Sequence, residues 1–307
     1  MELSWVNKLR IFLVAALGMI VIGILAGPLA VPEDPFAPIR AANIGFVGTA
    51  ILLILAFAVG FGGYFLAWPH GREIAVMAVP FGLTVWATRS GPMRILTQAL
   101  NEPQEREALL RAMCFEPFYW LLIVATGFTG VVVAQRLRPS AQPIGTLSQL
   151  KASLKPAAYA NVAIALVVCT LVAQFFVGVF SQDLTTSDNV MAERLLTNYV
   201  AAQPAVGQII FGVIAAFAVA GFVTKKFLDL TYVWPAIATV FIIPFAKVAY
   251  YNAGTIEKFT EIYPATFYPH PVFAILPVQL VSLGALGAIL GYWLAVRYEY
   301  WRKHESA

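Results

Sequence analysis

The chain has 307 residues, of which 60% are hydrophobic and 12% charged, and its formal net charge is +4. A mean hydropathy of +0.77 is too apolar for a soluble domain of this size, so a bilayer must serve as a second apolar solvent. The basic residues sit in loops beside apolar runs rather than in a stripe, which points to membrane topology and away from nucleic acid.

About 20 apolar residues are needed to cross roughly 30 Å of hydrocarbon at 1.5 Å per residue. Runs of this kind predict spans at 11–30, 44–68, 74–88, 115–134, 159–180, 206–224, 230–251 and 272–296. The third run is short and carries Pro80, so a re-entrant or interfacial segment competes with a span there. Charge decides between them. Eight spans place Lys8, Arg10, Arg72, Arg136, Arg138, Lys151, Lys155, Lys225, Lys226 and the basic tail on one side, and removing the third span would send 136–155 to the other. The expected fold class is therefore all-α, a polytopic integral membrane bundle of about eight transmembrane helices, with both termini cytoplasmic in a bacterial inner membrane. A cleaved signal peptide is the competing account of the first run, but the run is long and Pro28 spoils the cleavage site.

Between spans, 92–113 and 187–202 carry enough apolar residues for short surface helices. Trp5, Trp68, Tyr119, Trp120, Tyr250, Tyr251 and Tyr298 to Trp301 fall at predicted interfaces, as a headgroup belt requires. Cys114 and Cys169 are far apart with no CxxC and read as apolar packers.

The single membrane domain carries signs of a four-plus-four parallel repeat, with halves 1–138 and 151–307. Ile54 to Gly60 resembles Ile214 to Ala220, Val79-Pro80-Phe81 resembles Ile243-Pro244-Phe245, and Gly127 and Gly130 match Gly284 and Gly287. Four spans per copy would relate the halves by a twofold axis along the membrane normal. The small residues Gly60, Gly63, Gly212, Gly287 and Gly291 permit close helix packing, either inside the chain or against a second subunit.

Chemistry is sparse. Lys247 is the ionisable residue that falls clearly inside a span, and such groups are functional candidates by default. Snorkelling to the interface, a packed ion pair and a ligand contact are its three readings. Glu116 and His270 fall at the same membrane side, with Glu116 a natural partner for Lys247. These three, with Tyr250 a turn from Lys247, are the candidate lining of a polar ligand pocket.

No catalytic constellation, phosphate loop, metal-ligand set or cofactor motif stands out, and no residue pattern identifies a family. The expected function is a non-catalytic structural or scaffold subunit of a membrane assembly. Its partners are then the lipid bilayer, other membrane subunits or a second copy. A permease for a small or amphiphilic solute, with its path between the halves, is the alternative; an intramembrane enzyme comes third.

Overall fold

A computed structural model describes residues 5–32, 34, 36–139, 159–181, 185–187, 199–251, 253–261, 263 and 265–305. Helix dominates them, because in lipid a backbone must satisfy its own hydrogen bonds. Helix α1 (Trp5–Gly18) is prolonged by a π-helical stretch, Met19–Leu25. It is followed by α2 (Phe46–Leu66), then by α3 (Gly71–Ile74), which passes through a 3-10 turn (Ala75–Met77) into α4 (Ala78–Arg89). Next come α5 (Met93–Ala99), α6 (Pro103–Leu137), α7 (Tyr159–Phe180) and α8 (Val206–Leu228). The series closes with α9 (Val233–Tyr250), α10 (Ala253–Glu261) and α11 (Pro277–Glu305). Among the described residues 7 helices are long and apolar enough to cross a membrane, namely α1 with its extension, α2, α6, α7, α8, α9 and α11.

The third run also traverses the bundle. At its start Tyr64 Oη donates to Arg138 O at 2.7 Å, and a Cβ on Gly71 would lie 2.2 Å from Tyr64 O. At its finish Trp86 Nε1 donates to Gly23 O at 3.1 Å, and Ser90 Oγ accepts from Ile39 N at 2.8 Å. The stretch 71–89 thus joins the two ends of the bundle. Much of it is buried by other helices, so it does not need the long lipid-facing run of a peripheral span. Pro80 sits in the first turn of α4 and Pro235 in the first turn of α9, where no intrahelical donor is lost. Pro117 and Pro244 lie inside α6 and α9.

One end of the bundle carries a small antiparallel sheet in the order β1-β2-β3, from Thr185–Ser187, Tyr199–Ala202 and Phe267–Tyr268. Its register pairs Thr186 with Val200 and Ala201 with Tyr268. This corrects the helix expected over 187–202: both ends of that stretch are strand, and 188–198 lie outside the described residues. Partners far apart in sequence override the local helical spacing. The surface helix expected at 92–113 is instead α5 followed by the start of α6. At about 1.5 Å per residue the 35 residues of α6 far exceed the roughly 30 Å of hydrocarbon, and its first turns project at the sheet end.

The most extensive contacts are α8 with α11 and α2 with α6. Helix α1 lies on α4, α7 lies on α8 and α9, and α11 also touches α4, α6 and α9. Helix α11 is the central one, with Val278, Leu280, Val281, Ser282 and Leu283 all fully buried. Glycines set the two main crossings. A Cβ at Gly60 would lie 2.0 Å from Gly127 O, one at Gly130 2.3 Å from Phe57 O, and one at Gly291 2.0 Å from Ala218 O. Of the other three named for packing, Gly287 would bring a Cβ to 2.6 Å from Ile214 O, Gly212 faces the Ser181 hydroxyl and Gly63 faces Ala75. All five candidate packing glycines therefore have a neighbour within the chain itself.

Candidate functional site

Glu116 is buried near the start of the membrane-embedded part of α6. Its Oε1 accepts from Ala41 N at 2.7 Å and from Trp120 Nε1 at 3.3 Å, while Oε2 pairs with Arg40 Nε at 3.4 Å. The carboxylate thereby ties the connection after α1 to α6. Trp120, expected in the interfacial belt, is fully buried and meets Trp86 edge-on at 6.2 Å between centroids. An ion pair between Glu116 and Lys247, one of the three readings of Lys247, does not form. Lys247 is half-buried on α9 beside the opposite side of α6, where it acts electrostatically on Glu107 and Cys114. Its ammonium makes no hydrogen bond or ion pair with any described residue.

His270 is not an open loop residue. Its ring stacks on Tyr250 with centroids 4.5 Å apart and planes 7° from parallel, and its Nδ1 accepts from Val272 N at 3.3 Å. Nε2 points at α7, 3.0 Å from where a Cβ on Gly178 would stand. Burial lowers the imidazole pKa from 6.5 to about 4, because the charged form is desolvated. The sign of the pH dependence follows. The unfolded chain takes up the proton first, so the contribution of neutral His270 is complete above about pH 6.5. It is lost as pH falls towards 4. His270→Phe, which keeps a flat ring on Tyr250, is expected to flatten the stability-against-pH curve in this window by about 2–3 kcal/mol. Chemical unfolding in detergent at pH 7 and pH 4.5 measures this, and identical slopes for both proteins would exclude it.

The sheet end also holds a cavity of about 20 Å³ lined by Thr97, Arg106, Tyr251, Phe259 and Tyr268 among others, enough for a water molecule or two. Arg106 gives its guanidinium to Leu100 O at 3.0 Å and Phe259 O at 2.7 Å. A cation at the C-terminal carbonyls of α5 and α10 satisfies acceptors those helices cannot. Gln203 completes this cap: Oε1 accepts from Arg94 N and Tyr268 Oη, both at 3.1 Å, and Nε2 donates to Ala274 O at 3.1 Å.

At the opposite end, Tyr232 and Tyr292 meet edge-on at 5.5 Å, with Lys225 Nζ 5.8 Å from the Tyr292 ring centroid. Lys225 is buried and paired with Asp229. Asp229 adopts the left-handed conformation that ends α8, with φ 50°. Arg72 and Glu73 act electrostatically on Tyr232 across the bundle. The hydroxyls of Thr231 and Tyr232 are buried and have no hydrogen-bond partner among the described residues.

The structure brings His270 and Tyr250 together and sets Glu116 and Lys247 apart. The four candidates do not share one pocket. Sequence reasoning missed Arg40, Arg106 and Gln203. Arg40 had a signal, as a lone cation in the connection between the first two spans. Compared with known protein families, curated proteins and solved structures, the chain matches none of them.

Proposed function

We propose that this multi-pass membrane protein is a non-catalytic structural subunit of a larger membrane assembly, held in an inner membrane with both termini cytoplasmic. The observation that carries this reading is the sealed centre. Helix α11 is buried against α4, α6, α8 and α9. Its polar residues are satisfied internally: Gln279 Nε2 donates to Ala87 O at 3.0 Å, Gln279 Oε1 accepts from Leu276 N at 2.9 Å, and Ser282 Oγ donates to Val278 O at 2.7 Å. A solute path would place polar groups or water along such a junction. The hydrogen-bonded cap on the sheet end offers a surface to a partner, and the Lys and Arg distribution supports the orientation.

A permease is the second reading, and the contacts give it a specific footing. Helix α4 meets α11, and α6 meets α9. Exchanging the third and fourth spans with the seventh and eighth maps one contact onto the other. That is what two four-helix halves around a twofold axis would produce. Gentle extraction from the native membrane, followed by native electrophoresis and mass spectrometry, separates the two readings. The subunit reading expects a discrete larger assembly with partners in fixed ratio. A lone monomer or homodimer would overturn it and leave transport.

A further inference from the structure

We infer that the outer face of the seam between α6 and α9 at the sheet end is a binding site for the phosphate headgroup of an anionic phospholipid, with Lys247 as its cation. The inference does not depend on the subunit reading.

Lys247 is half-buried and its ammonium has no hydrogen bond or ion pair to any described residue, yet it lies close enough to Glu107 and Cys114 to act on both electrostatically. The nearby carboxylate is already taken. Glu107 Oε1 accepts from Arg111 Nη2 at 2.6 Å and from Arg111 Nε at 3.2 Å. Lys247, Glu107 and Arg111 together therefore carry one net positive charge at the α6–α9 seam. A half-buried ammonium with no acceptor is costly, and a phosphate arriving from the headgroup layer supplies what the chain does not.

The surface next to this cation selects a lipid over free phosphate. One and two turns from Cys114 towards the bundle centre, Phe118 and Leu122 are exposed on α6. On α9, Val248, Phe245 and Phe241 form an exposed stripe on successive turns, with Val248 at 89% exposure. These faces are where acyl chains would lie. The site thus combines one headgroup contact with two apolar walls, contributed by helices from opposite halves of the chain.

The test is lipid retention by the purified full-length protein. Wild type, delipidated in mild detergent, is incubated with equal amounts of phosphatidylglycerol and phosphatidylcholine, and bound lipid is read by native mass spectrometry. The expected result is preferential retention of phosphatidylglycerol. Lys247→Met is expected to weaken that retention by about fivefold, the order of one interfacial Lys, and Lys247→Arg to restore it. Inorganic phosphate added at millimolar concentration is not expected to displace the lipid. Equal retention of both lipids by wild type would overturn the inference, as would unchanged preference in a Lys247→Met protein that melts like wild type. Displacement by phosphate alone would also overturn it, in favour of a soluble anion. Should Lys247→Met fail to fold, the wild-type competition and the Lys247→Arg protein still decide.

Discussion

Gly60→Ala is expected to destabilise the protein by about 3 kcal/mol, whereas Gly62→Ala, two residues away on the same helix, is expected to leave stability unchanged or raise it slightly. A Cβ at Gly60 would lie 2.0 Å from the Gly127 carbonyl oxygen, with the carbonyl carbon at 2.8 Å. Both are backbone atoms and cannot swing aside. The helices must separate instead, and that opens the α2–α6 crossing along its length. In lipid this is damaging because close packing, not water exclusion, holds helices together. At Gly62 nothing lies within 4 Å, so alanine meets no obstacle and removes glycine's backbone freedom in the unfolded state, worth about 0.5–1 kcal/mol. Gly291→Ala should repeat the loss at the α8–α11 crossing, where Ala218 O would stand 2.0 Å away. The Gly60 and Gly291 losses should add, since the contacts share no residues. Unfolding by a denaturing detergent, followed by tryptophan fluorescence, measures all three. Equal stability of the Gly60 and Gly62 variants would refute the assigned crossing.

The same pair of glycines illustrates what was legible in the sequence. Hydropathy carried the fold class and seven of the crossings, because lipid imposes run length directly on the sequence. The third crossing needed the structure, since α3 and α4 are too short and too broken to meet the apolar-length requirement alone. Gly60, Gly62 and Gly63 together announced a close approach, but they did not say which glycine makes it. Successive helical residues turn by about 100°, so Gly60 and Gly62 face nearly opposite ways.

That rotation also explains the error at the candidate site. The sequence places Glu116 and Lys247 at similar depth but says nothing of which way α6 is turned. Cys114, beside Lys247, is about 200° around the helix from Glu116. Glu116 therefore faces the connection after α1, and Lys247 meets a different face. The prolines flanking His270 describe only its local backbone, a loop, and say nothing of its burial. Its burial comes from Tyr250 and α7, both remote in the chain. The strands at 185–187 and 199–202 were missed for a similar reason: their third partner, β3, lies more than sixty residues further on.

Glu116→Ala is expected to cost about 3–5 kcal/mol, the range for removing one partner from a buried charged pair. The carboxylate serves three donors: the Ala41 backbone N–H, the Trp120 indole and the Arg40 guanidinium. Trp120 is fully buried, so its N–H would have no water to turn to, and unmet buried donors carry a full desolvation cost. Glu116→Gln keeps an acceptor for Ala41 N but withdraws the charge facing Arg40, and a loss of about 1–2 kcal/mol is expected. Arg40→Met should cost less than Glu116→Ala, because the carboxylate retains its other two donors. A double-mutant cycle between positions 40 and 116 isolates the ion pair itself. Hydrogen exchange should show the loss first around residues 39–41, the segment that Glu116 holds against α6. Lys247→Met supplies the contrast, since the Lys247 ammonium has no partner among the described residues to abandon and its removal should leave the melt in place. A Glu116→Ala protein within about 1 kcal/mol of wild type would mean that the connection after α1 is anchored elsewhere, and that this carboxylate is free for the ligand role expected from sequence.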